Sequence, residues 1–244
     1  MHRSFLHLQH RPIPLPSSPW LMTQVWSNVL FMHWPIRPEA LKGVVPACLQ
    51  IDLYDHTAWI GLVPFQVSNM RFHGLPSIPL FRSFLQLNVR TYVTHQGIPG
   101  VYFFSLDVNH LPSVIGSRLF CLPPFRQSKM AATLNDSCRF QSSYSFGQEE
   151  EELDVCYTPL SSPYSADKGT FDYWATERYC LFTSRGNKLY RGNIHHTRWS
   201  LQKADVTFFR NTMAPFLPAN YWNEQPIVHF SREKKAFFWP LQKM

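Results

Sequence analysis

The chain is short of the features that most directly name a chemistry. Its five cysteines (Cys48, Cys121, Cys138, Cys156 and Cys180) are odd in number, widely spaced and never arranged as C-x-x-C. That argues against a disulfide framework or a cysteine zinc site and suits buried thiols in a reducing compartment. Charged residues make up only 16% of the chain, and no Lys/Arg run is longer than Lys234-Lys235. The net charge of +7 is therefore a diffuse positive surface, and no nucleic-acid partner is expected. No apolar run approaches the roughly 20 residues of a membrane span. The N-terminal apolar residues are interrupted by His, Gln, Arg and Pro, unlike a secretory signal. The expectation is a cytoplasmic protein without a membrane partner. No Gly-rich phosphate loop, Ser-His-Asp order or pair of carboxylates stands out, and no cofactor is expected. Glycine is scarce, at 10 residues against 20 prolines, while aromatics reach 16%. That mix favours strands and rigid loops over long helices.

What is there centres on Phe84 to Asn109, which reads as two strands joined by the turn Gln96-Gly97-Ile98-Pro99-Gly100. In the first strand Leu85, Leu87, Val89, Thr91 and Val93 point one way and Gln86, Asn88, Arg90 and Tyr92 the other. The second, Val101 to Val108, is apolar or aromatic almost throughout, as a strand covered on both faces would be. If its partner is central too, Gln86, Asn88 and Arg90 form a polar row that does not simply face water. An arginine there must be paired or meet an anion, because isolated buried charge is very costly. Two readings stay open: Arg90 faces a pocket, or it bridges to Glu177 or Asp107.

Around this hairpin the chain divides into a Pro-rich tail, 1–19, and a single domain, 20–244. Met22, Val25, Trp26, Val29 and Leu30 have helical spacing, with a strand expected from Phe31 to Ile36. Pro38 to Gly43 is punctuated as a short helix. Leu49 to Ser68 reads as a hairpin, with Asp52 and Asp55 exposed beside its turn. A helix capped by Asn109 carries Leu111, Val114, Ile115, Arg118, Leu119 and Leu122 on one stripe and ends at Pro123-Pro124. Residues 127–146 form a further hairpin around Asn135-Asp136, and Gln148 to Glu152 an acidic, solvated loop. Strands follow near Leu153–Thr158, Arg178–Thr183, Lys188–His196 and Ile227–Phe238.

Other candidate site residues are Arg118, Glu177, His195 and His196. Adjacent residues of a strand point to opposite faces, so His195 and His196 cannot jointly chelate one ion without a bulge. No metal is expected there. Each is a pocket-lining or hydrogen-bonded core histidine. Glu177-Arg178 is either a polar part of a cavity or an ion pair bracing a strand end.

Several strings in order resemble the YqjF-like family of uncharacterised bacterial proteins: Phe31-Met32-His33-Trp34-Pro35, Val63-Pro64-Phe65, Leu87 to Val93, Pro99 to Asp107, and Thr176 to Leu181. Arg118 with Leu122-Pro123, and His195-His196 with Trp199, extend the likeness, which covers about residues 20–240. The resemblance implies a mainly β chain, β-rich α+β in class, with an antiparallel, cone-like β-barrel similar to acetoacetate decarboxylase and a few short helices. In that enzyme a Schiff-base lysine lies in a Phe-Pro-Lys-Lys-type motif after a Gly-Arg pair. Here the matching stretch is Ser117 to Phe125, with Pro124 and Phe125 near the lysine positions, and neither can form an imine. The family usually carries Glu where this chain has Gln86. The reading is a small-molecule-binding protein with an internal pocket for an anionic or carbonyl-containing ligand, a carboxylate or keto acid, without Schiff-base chemistry. The alternatives are a structural or interaction protein with a filled barrel, or an enzyme of another reaction. A homo-oligomer is compatible with either.

Overall fold

The first strand shows how this sequence makes its sheet. β1 runs unbroken over Met22–Ile36, so the helical spacing expected near its start is not realised. Asn28 stands at φ 52° within a break of register against the next strand, between Ser27 and Met32. The break shifts the in–out alternation, and an alternating strand then reads like a 3–4 repeat. β-Branched and aromatic residues (Val25, Trp26, Val29, Phe31) suit the pleated surface. Pairing with a neighbour on each side completes the choice.

A computed structural model describes residues 2–76, 83–119, 125–134, 138–186 and 188–244, the side chains of residues 117–119 and 185 excepted. After β1 come a 3-10 turn at Pro38–Leu41, β2 (Gln50–Ile51), β3 (Ala58–Phe72), β4 (Ser83–His95) and β5 (Ile98–Val108). The helix α1 (Leu111–Leu119) leads to β6 (Phe125–Gln127), β7 (Lys129–Leu134), β8 (Cys138–Phe146) and β9 (Glu149–Pro159). Then follow α2 (Phe171–Thr176), β10 (Cys180–Arg185), β11 (Lys188–His195), β12 (Gln202–Asn211), β13 (Ile227–Phe238) and β14 (Gln242–Lys243). The acidic loop expected at Gln148 to Glu152 is largely the start of β9. The strand β12 and helix α2 have no counterpart in the sequence reading. The expected hairpin at Leu49 to Ser68 is also redrawn, since β2 pairs with β4 rather than β3. The turn expected at Asn135-Asp136 lies outside the described residues, although β7 and β8 pair as a hairpin would.

The order β11–β10–β5–β4–β3–β1–β13 returns on itself through pairing of β13 with β11, making a ring of strands. Most pairs are antiparallel, but β5 runs parallel to both β10 and β6. From β13 the sheet continues through β12, β9, β8 and β7 and covers the outside of the ring. There Leu30, Met32, Trp34, Leu87 and Val89 pack with Phe140, Leu153, Val155 and Tyr157. The opposite faces of β1, β3 and β4 turn into the ring. Phe31, Val63, Phe65 and Phe84 form one interior cluster with Trp199, and Tyr92, Phe103, Phe171 and Ala236 lie in another. The N-terminal segment docks beside β11: Arg11 donates to the Ile194 carbonyl at 2.6 Å and Trp239 to that of Ser18 at 2.8 Å. No helix among the described residues is long and apolar enough to cross a membrane.

Candidate functional site

Strand alternation puts Gln86, Asn88, Arg90 and Tyr92 on one face of β4, and this face turns into the ring. Gln86 Nε2 donates to Asn88 Oδ1 at 2.7 Å, and both side chains are buried. The Arg90 guanidinium lies 5.5 Å from the Phe31 ring centroid and 5.7 Å from that of Tyr92. Among the described residues its one hydrogen bond is a long one, from Nη2 to the Ala175 carbonyl in α2 at 3.4 Å, and its buried Nε has no partner. No carboxylate among the described residues pairs with it. Glu177 accepts from Tyr179 Oη and from the Trp199 amide, and Asp107 accepts from Arg126. Neither bridge open to Arg90 on sequence grounds is formed.

Two histidines that the sequence reading did not connect stand beside Arg90. On β1, Phe31 and His33 face inward; across the register Phe31 pairs with His229 of β13. The rings of His33 and His229 come within 6.4 Å, and both side chains are fully buried. His33 Nε2 meets Tyr92 Oη at 2.6 Å. Burial, then the charge of Arg90, holds the His33 pKa well below its ordinary value, so the ring is neutral. His229 Nε2 lies 2.9 Å from Asp172 Oδ1 of α2 but outside hydrogen-bond geometry, and its Nδ1 has no partner among the described residues. The close approach of His229, opposed by partial burial and helped by the Tyr164 hydrogen bond, keeps the Asp172 carboxyl far below the usual range. Gly61 of β3 makes room for this group. A methyl built there would lie 3.3 Å from His33 Cδ2 and 3.5 Å from Arg90 Cγ. The signal available in the sequence was the Phe31-Met32-His33 alternation; the partner strand was not readable from it.

The remaining candidates scatter. Arg118 belongs to α1, and its side chain lies outside the described residues. Glu177 and His196 are interior but reach Arg90 only through rings: His196 packs 5.0 Å from Trp199, which packs 4.9 Å from Phe31. His195 points the other way, stacking 5.3 Å from Phe5 and meeting the Ser4 carbonyl at 2.9 Å. Burial lowers the pKa of His195 to about 4 and that of His196 to about 3. Glu177 and Arg178 do not pair with each other. Arg178 donates to Asp52 Oδ2 at 2.5 Å, and Asp52, expected exposed, is half-buried against it. Lys234, which no local motif marks, is a buried lysine near Glu177. Its amine donates to the Arg198 carbonyl at 2.6 Å and to Thr197 Oγ1 at 3.2 Å. Burial lowers its pKa.

The arrangement thus offers a fixed positive charge, neutral amide donors and a neutral His33 hydrogen-bonded to Tyr92, with His229 and Asp172 close by. The fold matches known structures closely. An acetoacetate decarboxylase-like enzyme from Sphingomonas wittichii RW1 superposes with a TM-score of 0.62 at 12% identity, covering 96% of this chain and 98% of that one. Acetoacetate decarboxylase from Legionella pneumophila gives 0.61 at 12% identity, over 96% and 92%. The enduracididine biosynthesis enzyme MppR complexed with pyruvate gives 0.59 at 12% identity, over 95% and 92%. In sequence, the uncharacterized protein YqjF of Bacillus subtilis (strain 168) is 40% identical over 235 residues, 96% of this chain and 97% of its own. The model of the DUF2071 family matches residues 23–235. On that evidence the chain belongs to DUF2071, a family of uncharacterized conserved proteins, and has an acetoacetate decarboxylase-like fold.

Proposed function

We propose that this protein binds a small anionic or carbonyl-containing molecule, a carboxylate or keto acid, inside the strand ring, and holds it without a lysine imine. The observation that carries this is Arg90: a guanidinium inside the ring, with an unpartnered Nε and no carboxylate partner among the described residues. A half-buried cation whose Nε is sealed from solvent without a partner is costly unless an anion completes it. Its planar fork suits a carboxylate, and Asn88 stands two residues away on the same face. Support from the fold is that a structure of MppR with this architecture holds pyruvate. Lys234 already has two hydrogen-bond acceptors, and the ring of Trp199 lies 5.6 Å from its amine.

The test is calorimetric titration of pyruvate and related carboxylates into wild type and Arg90→Gln. Wild type should bind, and the variant should lose about 1.5–3 kcal/mol, the range for a hydrogen bond to a charged group. Equal affinity in the two proteins would end the reading. A second reading, a filled ring serving as scaffold, draws on the packing of Trp26 on Trp199 at 6.0 Å and Phe65 at 5.7 Å. It forecasts no carboxylate binding at any concentration tested.

A further inference from the structure

A pocket lies outside the ring. A cavity of about 300 Å³ opens between the outer face of β5 and the loop after β12. Tyr102, Phe104 and Phe216 wall it, and Ser105, Arg126 and Glu151 line its polar side. The lining is set by a bulge. Val89 pairs with Ser105 but Arg90 with Phe103, so Phe104 is the extra residue of β5. Phe104 and Ser105, neighbours in sequence, thereby turn to the same side. A bulge commonly re-aims side chains in this way next to a site.

The charges decide what the pocket would take. Arg126 Nε and Nη2 donate to the two oxygens of Asp107 at 2.8 and 3.0 Å, and Nη2 also reaches Ser105 Oγ at 3.1 Å. Nη1 donates to Glu151 Oε1, and Nη2 approaches Glu151 Oε2 at 3.3 Å. The Tyr144 ring covers the guanidinium, 3.9 Å from its centroid. The cation is spent on two carboxylates, of which Asp107 is fully buried and Glu151 lines the cavity. Each Glu151 oxygen keeps acceptor capacity beyond its bond to arginine. Facing this acceptor are aromatic rings, with Phe104 and Phe216 4.6 Å apart. Carboxylate acceptors beside aromatic faces recognise an ammonium group.

We propose that this cavity binds a small primary ammonium compound with an aromatic or alkyl body, its –NH3+ on Glu151 and its body between Tyr102, Phe104 and Phe216. The experiment titrates the full chain calorimetrically with phenethylamine, phenylacetate and phenethyl alcohol, which share a body and differ in the head group. Phenethylamine should bind and the other two should bind at least about tenfold more weakly. Glu151→Gln should weaken the amine by about tenfold or more, the loss of a charge-assisted hydrogen bond. Phe216→Ala, a change in a part-exposed loop residue, should weaken it while leaving the Asp107–Arg126 pair intact. It keeps the test decisive should Glu151→Gln fail to fold. The proposal falls if no probe binds, if phenylacetate or the alcohol matches the amine, or if the amine binds Phe216→Ala as it binds wild type.

Discussion

Two arginines stand on opposite sides of the β4–β5 hairpin, and their surroundings could hardly differ more. Arg126 is neighbour to Asp107 across the β5–β6 pairing and spends its donors on Asp107, Glu151 and Ser105. Burial pulls its pKa down, but its hydrogen bonds to the two carboxylates more than offset this and raise it. Arg90 stands among rings with one long bond to a carbonyl. A saturated guanidinium braces a fold; the proposed function gives the unsaturated one at Arg90 a ligand to hold. Position on a central sheet does not separate the two arginines; the inventory of acceptors does.

The largest effect should come from Arg126→Gln. It leaves Asp107, fully buried, without its cation. Breaking a buried pair from one side costs about 3–5 kcal/mol, read as a fall in denaturation midpoint at unchanged slope. A loss under about 1 kcal/mol, the worth of a surface pair, would dissolve the contrast between the two arginines. Arg90→Gln, by comparison, should change stability little while weakening carboxylate binding by about 1.5–3 kcal/mol. A fall of several kcal/mol would show that a brace, not a ligand site, had been cut.

Acid titration sharpens the same contrast through two aspartates with opposite shifts. Burial, opposed by Arg126, raises the Asp107 pKa, so ionising it costs the folded state. Its contribution to stability declines as pH rises from the ordinary carboxylate range towards the folded pKa. Asp172 is held low, first by His229, and its contribution is complete above the ordinary range and lost as pH falls below it. In urea melts across acid pH, Asp172→Asn should lose most relative to wild type near neutrality, and the gap should close as pH drops. A gap that widens in acid would reverse the assignment. The acid limb carries a second component. His195 and His196 are held neutral by burial, so stability is lost as pH falls below about 6.5, their unfolded value. His195→Gln should flatten that limb.

Imine chemistry offers a null effect as its forecast. Borohydride reduction in the presence of pyruvate should leave the mass of the protein unchanged. An adduct mapped to Lys234 would transfer the chemistry from Arg90 to that amine. A small change in stability should come from Gly61→Ala. The added methyl presses His33 Cδ2 at 3.3 Å and meets Arg90 Cγ at an ordinary contact of 3.5 Å, an overpacking at the lower end of about 1–3 kcal/mol.

The sequence by itself determined the fold class, the β4–β5 hairpin and the face of β4 that carries Gln86, Asn88 and Arg90. The hairpin and the face rest on local alternation and turn chemistry, which a strand expresses without knowing its neighbours; the fold class rests on composition and on the family resemblance. The family was readable as well, from strings such as Leu87 to Val93. Tertiary structure alone decided the rest. Whether Met22 to Leu30 is helix or strand depended on two pairing partners and a register break at Asn28. The meeting of His33 with His229 needed β1 and β13 to pair across most of the chain. Which carboxylates reach which arginines depended on which distant strands became neighbours: Glu151, in a run that reads as solvated, closes on Arg126, while Glu177 turns away from Arg90. Ion pairing is set by distances of a few ångströms between residues far apart in sequence, and local pattern carries no record of them.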